Sequence, residues 1–274
     1  TNQGVNYSLD ELDAYFITPQ SNIINQVWTE HYQQIRQINI GIDYLNNPNK
    51  VVANNIDRKV SEAELRFLRG LLYFNLVKIY GNPLLSVTSE IDFNNPPNYP
   101  QNSLTTYSQI EEDLLFAIQN LPSSGSNDRA NQMSARGLLA KMYMKMAGFP
   151  LNETNNYVKA LEQLNFIKGQ FELEEDYKAV FNIANESSNS EVIFRVAFNG
   201  DENSSSAFNQ YWGPLGVSDF DALVLVSGLV NSFSDSFISF ESPVDFPIIL
   251  NDQRFYNSIA TFTVEGNVVV NSPD

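Results

Sequence analysis

The chain has no cysteine and only one histidine, and its 32 aspartates and glutamates outnumber its 16 lysines and arginines two to one. Without cysteine there is no disulfide, no thiolate nucleophile and no thiolate metal ligand, although an oxidising compartment permits disulfides without requiring them. The lone His31 leaves a histidine-based triad without company, since no Gly-x-Ser-x-Gly stretch occurs, and it leaves zinc with carboxylates alone. A formal charge of −16 speaks against nucleic acid and anionic lipid surfaces, both of which call for clustered lysine and arginine. Long apolar runs are missing too. The best candidate, Ala222 to Val230, is interrupted by Ser227 and Gly228, so nothing in the sequence spans a bilayer and any membrane link is an anchor or a partner.

What is present is enough apolar material, 43% of residues, for a large core. The first half reads as helices separated by turn-rich stretches. A first helix begins near Ser8, where Ser8 and Glu11 have capping-box spacing, and continues past a break at Pro19 to Asn46–Asn49. The stretch from Ser61 to Leu85 is the most informative. Ser61 and Glu64 suggest a second capping box, and Gly81 with Pro83 marks a stop. Leu65, Leu68, Leu72, Leu76 and Ile79 make one apolar stripe, and Ala63, Phe67, Gly70, Phe74 and Val77 a second, so a helix sandwiched between others is expected. Its charged residues Glu64, Arg66 and Arg69 are expected to pair with neighbours and hold hairpins in register. Further helices are read at Leu104–Leu121, at Ala135–Met146 before Gly148 and Pro150, and at Tyr157–Ile167 before Gly169. The starts keep no fixed period, which excludes a regular solenoid.

From Ser190 the pattern changes. Val192, Phe194 and Val196 alternate with Ile193, Arg195 and Ala197 as in a strand, and Glu265-Gly266-Asn267 between two apolar runs reads as a hairpin turn. The fold class expected is therefore mostly α: irregular, tetratricopeptide-like helical hairpins over residues 1–170, with a loop-rich region carrying short β-strands over 171–274, the two packed as one structural unit.

The helix at 61–85 also resembles a known family. Glu64, Phe67-Leu68-Arg69-Gly70, Tyr73-Phe74, Leu76, Tyr80-Gly81 and Pro83-Leu84 are similar to the second-helix signature of the SusD/RagB family, surface nutrient-binding lipoproteins of Bacteroidetes. Trp28, Tyr32, Ile35 and Asn39 resemble its first helix. Ser108 to Leu121-Pro122 resembles its third helix, and Arg129-Ala130 ahead of Ala135, Leu139 and Ala140 its fourth. Ser190 to Phe194 and Asp252-Gln253-Arg254-Phe255-Tyr256 resemble later elements. A late helix that comes after the last element in the family has no counterpart here, so a fragment or a short member is expected. The resemblance implies a non-enzymatic protein of the cell outer membrane, held by a lipid anchor that this chain does not carry. It also implies an oligosaccharide ligand passed to a SusC-type TonB-dependent transporter, with no cofactor required. No metal site is assigned; calcium at Asp201–Asn203 or Asp219–Asp221 is left open, although the EF-hand spacing is missing. The alternative is a peptide-binding or protein-docking scaffold.

Candidate ligand residues are suggested by sugar chemistry. Flat CH faces stack on exposed aromatic rings while amides and charged groups meet the hydroxyls. The Pro-rich stretch 94–101 offers Tyr99 with Asn98 and Gln101, and the stretch 208–214 offers Tyr211 and Trp212 with Asn209. Arg254 is a further candidate, with an ion pair to Asp252 as its competing role. Tyr99 as an ordinary surface residue, and Trp212 as a plug holding its loop to the helices, remain the alternatives. Trp28, on an apolar helical stripe, is assigned to the core. Glu111-Glu112-Asp113 is read as a solvated face, because adjacent helical positions point in different directions.

Overall fold

The computed structural model describes residues 17–54, 56–90, 102–175, 180, 189–197, 262–265 and 268–271. Helices α1 (Asn22–Asn46), α2 (Arg58–Tyr80), α3 (Ser103–Asn120), α4 (Gln132–Ala147) and α5 (Asn156–Ile167) come one after another, and each packs chiefly on its neighbour in sequence. Cross-contacts show that every neighbour runs antiparallel; Arg66, in the first half of α2, stacks over Phe116, late in α3. Tyr80, at the end of α2, reaches Ile24 at the start of α1; Tyr143, late in α4, meets Glu111, early in α3; Arg136, early in α4, meets Gln163, late in α5. This is the mostly α, irregular helical-hairpin architecture expected from the sequence. Strands β1 (Phe262–Glu265) and β2 (Val268–Asn271) pair antiparallel, Glu265 opposite Val268 and Phe262 opposite Asn271, in the hairpin that the Gly266-Asn267 dipeptide predicts.

By compactness the chain divides into two units, one holding residues 1–171 and 193–195 and the other 172–192 and 196–274. The core of the first unit is built from the inward faces of α1 to α5. Phe67, Tyr73, Leu76, Ile110, Leu114, Leu139 and Met142 are essentially sealed from solvent. Fully burying side chains of this size stabilises by about 1.5–3 kcal/mol each, which is what holds these helices together. Gly70 sits where α2 crosses α3. A Cβ there would stand 3.3 Å from Leu114, tighter than side chains ordinarily tolerate, so the small residue permits the close approach.

Several local expectations change. Helix α2 begins one turn earlier than Ser61: Asp57 is its N-cap and accepts from the Lys59 and Val60 amides (2.8 and 3.2 Å). A carboxylate at the positive end of the helix dipole serves better than a serine further in, which frees Glu64 to pair with Arg129. The stop at Gly81 stands as predicted, with φ +75° and its N–H returned to the Val77 carbonyl. Of the two α2 stripes, the one through Ala63, Phe67, Gly70, Phe74 and Val77 is buried; the other is only partly covered, with Leu68 and Ile79 exposed. Helix α5 turns Asn156, Ala160 and Ile167 inward and leaves Tyr157, Leu161 and Leu164 outward. The alternation at 192–197 makes no strand. Phe194 instead seats edge-on against Phe67 (5.1 Å between ring centres), and Arg195 bonds Asn127 and Asp128. The N-terminal capping box at Ser8 and Glu11 lies outside the described residues.

Candidate functional site

The sequence places one ligand loop at residues 94–101, and the helices hold residues 84–88, which lead toward it in the sequence. Tyr32 of α1 donates to the Leu84 carbonyl (2.6 Å), Tyr73 of α2 to the Ser86 carbonyl (2.8 Å), and the Ser86 amide returns a bond to the Tyr73 hydroxyl (2.7 Å). Asn39 of α1 donates to the carbonyls of Ser86 and Thr88 (3.0 and 3.1 Å) and accepts from Arg69 of α2 (2.9 Å). Arg69 also donates to the Val87 carbonyl (3.0 Å) and forks onto Asp113 of α3 through Nε (2.8 Å) and Nη2 (2.6 Å).

Arg69, Asn39 and Asp113 are all buried, so each pairs because an unpaired polar group there would be costly. Burial, opposed by the Arg69 fork, holds the Asp113 carboxyl above its ordinary value, and burial pushes the Tyr73 hydroxyl up to about 12. This corrects the reading of Glu111-Glu112-Asp113 as a solvated face. Glu112 is exposed, but Asp113 is fully buried and Glu111 accepts from the Tyr143 hydroxyl (2.6 Å). The role assigned to the α2 charges holds. Arg66 pairs with Glu62 (2.8 Å) and Arg69 with Asp113, tying α2 internally and to α3.

At the other side of this end, Trp28 is only half-buried rather than in the core. Its indole packs tilted against Tyr32 (4.6 Å between centres) and edge-on against Tyr80 (4.9 Å), whose hydroxyl is tied to the Ile24 carbonyl (2.5 Å). Beside the indole opens a cavity of about 440 Å³ lined by Ile17, Thr18, Pro19, Ile24, Asn25, Trp28, Ile79 and Tyr80. The sequence signal that could have found it was there: Trp28, Tyr32 and Tyr80 lie near the ends of two helices that must pair antiparallel. A second cavity, of about 490 Å³, lies between Pro48, Arg58, Glu62 and Phe116.

His31 occupies an ordinary helical position, its Nδ1–H donating to the Val27 carbonyl (2.8 Å). Among the described residues no group of three His, Asp or Glu side chains stands close enough to hold a metal ion, and no helix is long and apolar enough to cross a membrane. The sequence-predicted ligand residues Asn98, Tyr99, Gln101, Asn209, Tyr211, Trp212 and Arg254 lie outside the described residues.

Antiparallel hairpins of irregular length define an irregular helical-hairpin scaffold. Comparison with known proteins names its family. The SusD-like model described as starch-binding, associating with the outer membrane, matches residues 3–144, and the chain belongs to that family. A SusD-like protein of Bacteroides ovatus is 23% identical over 234 residues, covering 81% of this chain and 40% of that protein. A crystal structure of a SusD superfamily protein from Parabacteroides distasonis superposes with a TM-score of 0.68 at 25% identity, covering 85% of this chain and 51% of the other. A further structure, crystallised with a xylogluco-oligosaccharide, shares the fold at a TM-score of 0.63 and 19% identity, over 76% of this chain and 42% of the other. The chain thus spans about half the length, or less, of these relatives.

Proposed function

We propose that this chain belongs to a cell-surface protein that binds oligosaccharide without turning it over and presents it to a SusC-type TonB-dependent transporter in the outer membrane. The observation that carries this reading is the match of residues 3–144 to a family described as starch-binding and associating with the outer membrane. The fold shared with a protein crystallised with xylogluco-oligosaccharide supports it. In this reading residues 1–170 are the scaffold and 171–274 the ligand-face region. Tyr99, Tyr211 and Trp212 stack on sugar faces while Asn98, Gln101, Asn209 and Arg254 meet hydroxyls. A lipid anchor outside this sequence ties the protein to the membrane, and the transporter complex adds avidity to modest intrinsic affinity.

The test is calorimetry with malto- and xylogluco-oligosaccharides on the chain and on Trp212→Ala and Tyr99→Ala. Saturable binding is expected, weakened about tenfold in each variant, the scale of one lost aromatic platform. No heat with either sugar retires the glycan reading. Reducing ends appearing on long incubation would make the protein an enzyme instead.

A further inference from the structure

We infer that the Trp28 cavity is a second carbohydrate subsite, sized for a single sugar ring and separate from the loop residues named above; the inference rests on the glycan reading. Its volume of about 440 Å³ lies at the lower end of the roughly 300–1,000 Å³ of small-molecule sites. Its lining suits a pyranose: the aromatic Trp28 and Tyr80, the apolar Ile17, Ile24 and Ile79, and the polar Thr18 and Asn25.

The aromatic lining is set in advance. Tyr80 meets the indole edge-on with its own hydroxyl already bound to the Ile24 carbonyl, and Tyr32 flanks the indole with its hydroxyl on Leu84, so neither ring need turn when a ligand arrives. The polar atoms, by contrast, are available. Among the described residues no hydrogen bond engages the Trp28 indole N–H, and Asn25 uses its amide N–H₂ on the Ser21 carbonyl (3.3 Å) while its Oδ1 receives nothing. Together these two lining residues offer one donor and one acceptor to the hydroxyls of a sugar.

The apolar part is open to solvent, Ile17 being 46% and Ile79 52% exposed. Such residues beside an unpaired indole N–H suit a ligand that is apolar on its faces and polar around its edge. A purely apolar side chain would leave the indole N–H and the Asn25 oxygen desolvated without partners, at a cost. The cavity's lining residues among those described all belong to the helical unit.

The chain has only two tryptophans, Trp28 and Trp212, so 5-fluorotryptophan labelling gives two ¹⁹F resonances that Trp28→Phe assigns. The full chain is titrated with maltoheptaose and with a xyloglucan heptasaccharide while Asn25→Ala and Ile79→Gln, both at exposed positions, are measured by calorimetry. The expected result is a saturating shift of the Trp28 resonance and an affinity about fivefold lower in each rim variant, with the thermal midpoint unchanged. Saturable binding in calorimetry with a static Trp28 resonance, or with both rim variants at wild-type affinity, overturns the subsite and leaves the glycan reading standing. No heat from either sugar removes both.

Discussion

Arg69 directs its guanidinium at a carboxylate, an amide and a carbonyl drawn from three different segments, and the carboxylate and amide residues, Asp113 and Asn39, are buried with it. Removing it strands Asp113 in the interior beside only Arg66 and Gln109. Arg69→Ala is expected to cost about 3–5 kcal/mol in urea unfolding, the scale of a broken buried pair, while Arg69→Lys restores less than half of that because an ammonium cannot fork. Tyr73 makes a separate prediction through pH. Its hydroxyl titrates near 12 when folded against about 10 unfolded, so its contribution is complete below pH 10 and fades as pH rises toward 12, where only the unfolded chain ionises readily. Between pH 10 and 12 the wild type should lose roughly 2–3 kcal/mol more than Tyr73→Phe. Equal slopes for the two proteins in alkaline urea titrations would contradict this.

Helix α2 shows what a sequence can and cannot declare about an element. Its existence, its inner stripe through Ala63, Phe67 and Phe74, and its stop at Gly81 were all legible, because period and terminator are local properties. Its start was not, since Ser61 and Glu64 have the spacing of a capping box while Asp57, with no such signature, makes the bonds. Asp57→Ala should therefore cost about 1 kcal/mol of stability, whereas Ser61→Ala should stay within about 0.5 kcal/mol; the reverse ranking in thermal melts would restore the sequence-based cap. Asp113 was misread for a related reason. Nothing in Glu-Glu-Asp distinguishes the third carboxylate until Arg69, 44 residues away, arrives opposite it. Outward-facing Leu161 on α5 and half-buried Trp28 likewise depend on neighbours that periodicity does not name. The ligand residues were inferred from chemistry and resemblance, because irregular loops leave no period to read.

At the scale of the whole molecule, chain order and packing part company at residues 193–195. These residues come after more than twenty others assigned to the second unit, yet they belong to the helical one. Phe194 rests on Phe67, the Arg195 amide donates to Asn127, and its side chain pairs with Asp128. Phe194→Ala should lower the stability of the helical unit by about 1–3 kcal/mol, the value of a partly buried ring and its aromatic contact. The readout is the near-ultraviolet unfolding transition of the full chain, and an unchanged midpoint would mean that this segment merely touches the helices. The grip on residues 84–88 has a different bearing. Tyr32, Asn39, Arg69 and Tyr73 hold that segment through main-chain carbonyls and one main-chain amide. These bonds are indifferent to which amino acids occupy Leu84, Ser86, Val87 and Thr88. The scaffold thus reads the course of residues 84–88 and not their spelling, so changes of side chain there leave the path that these residues follow intact.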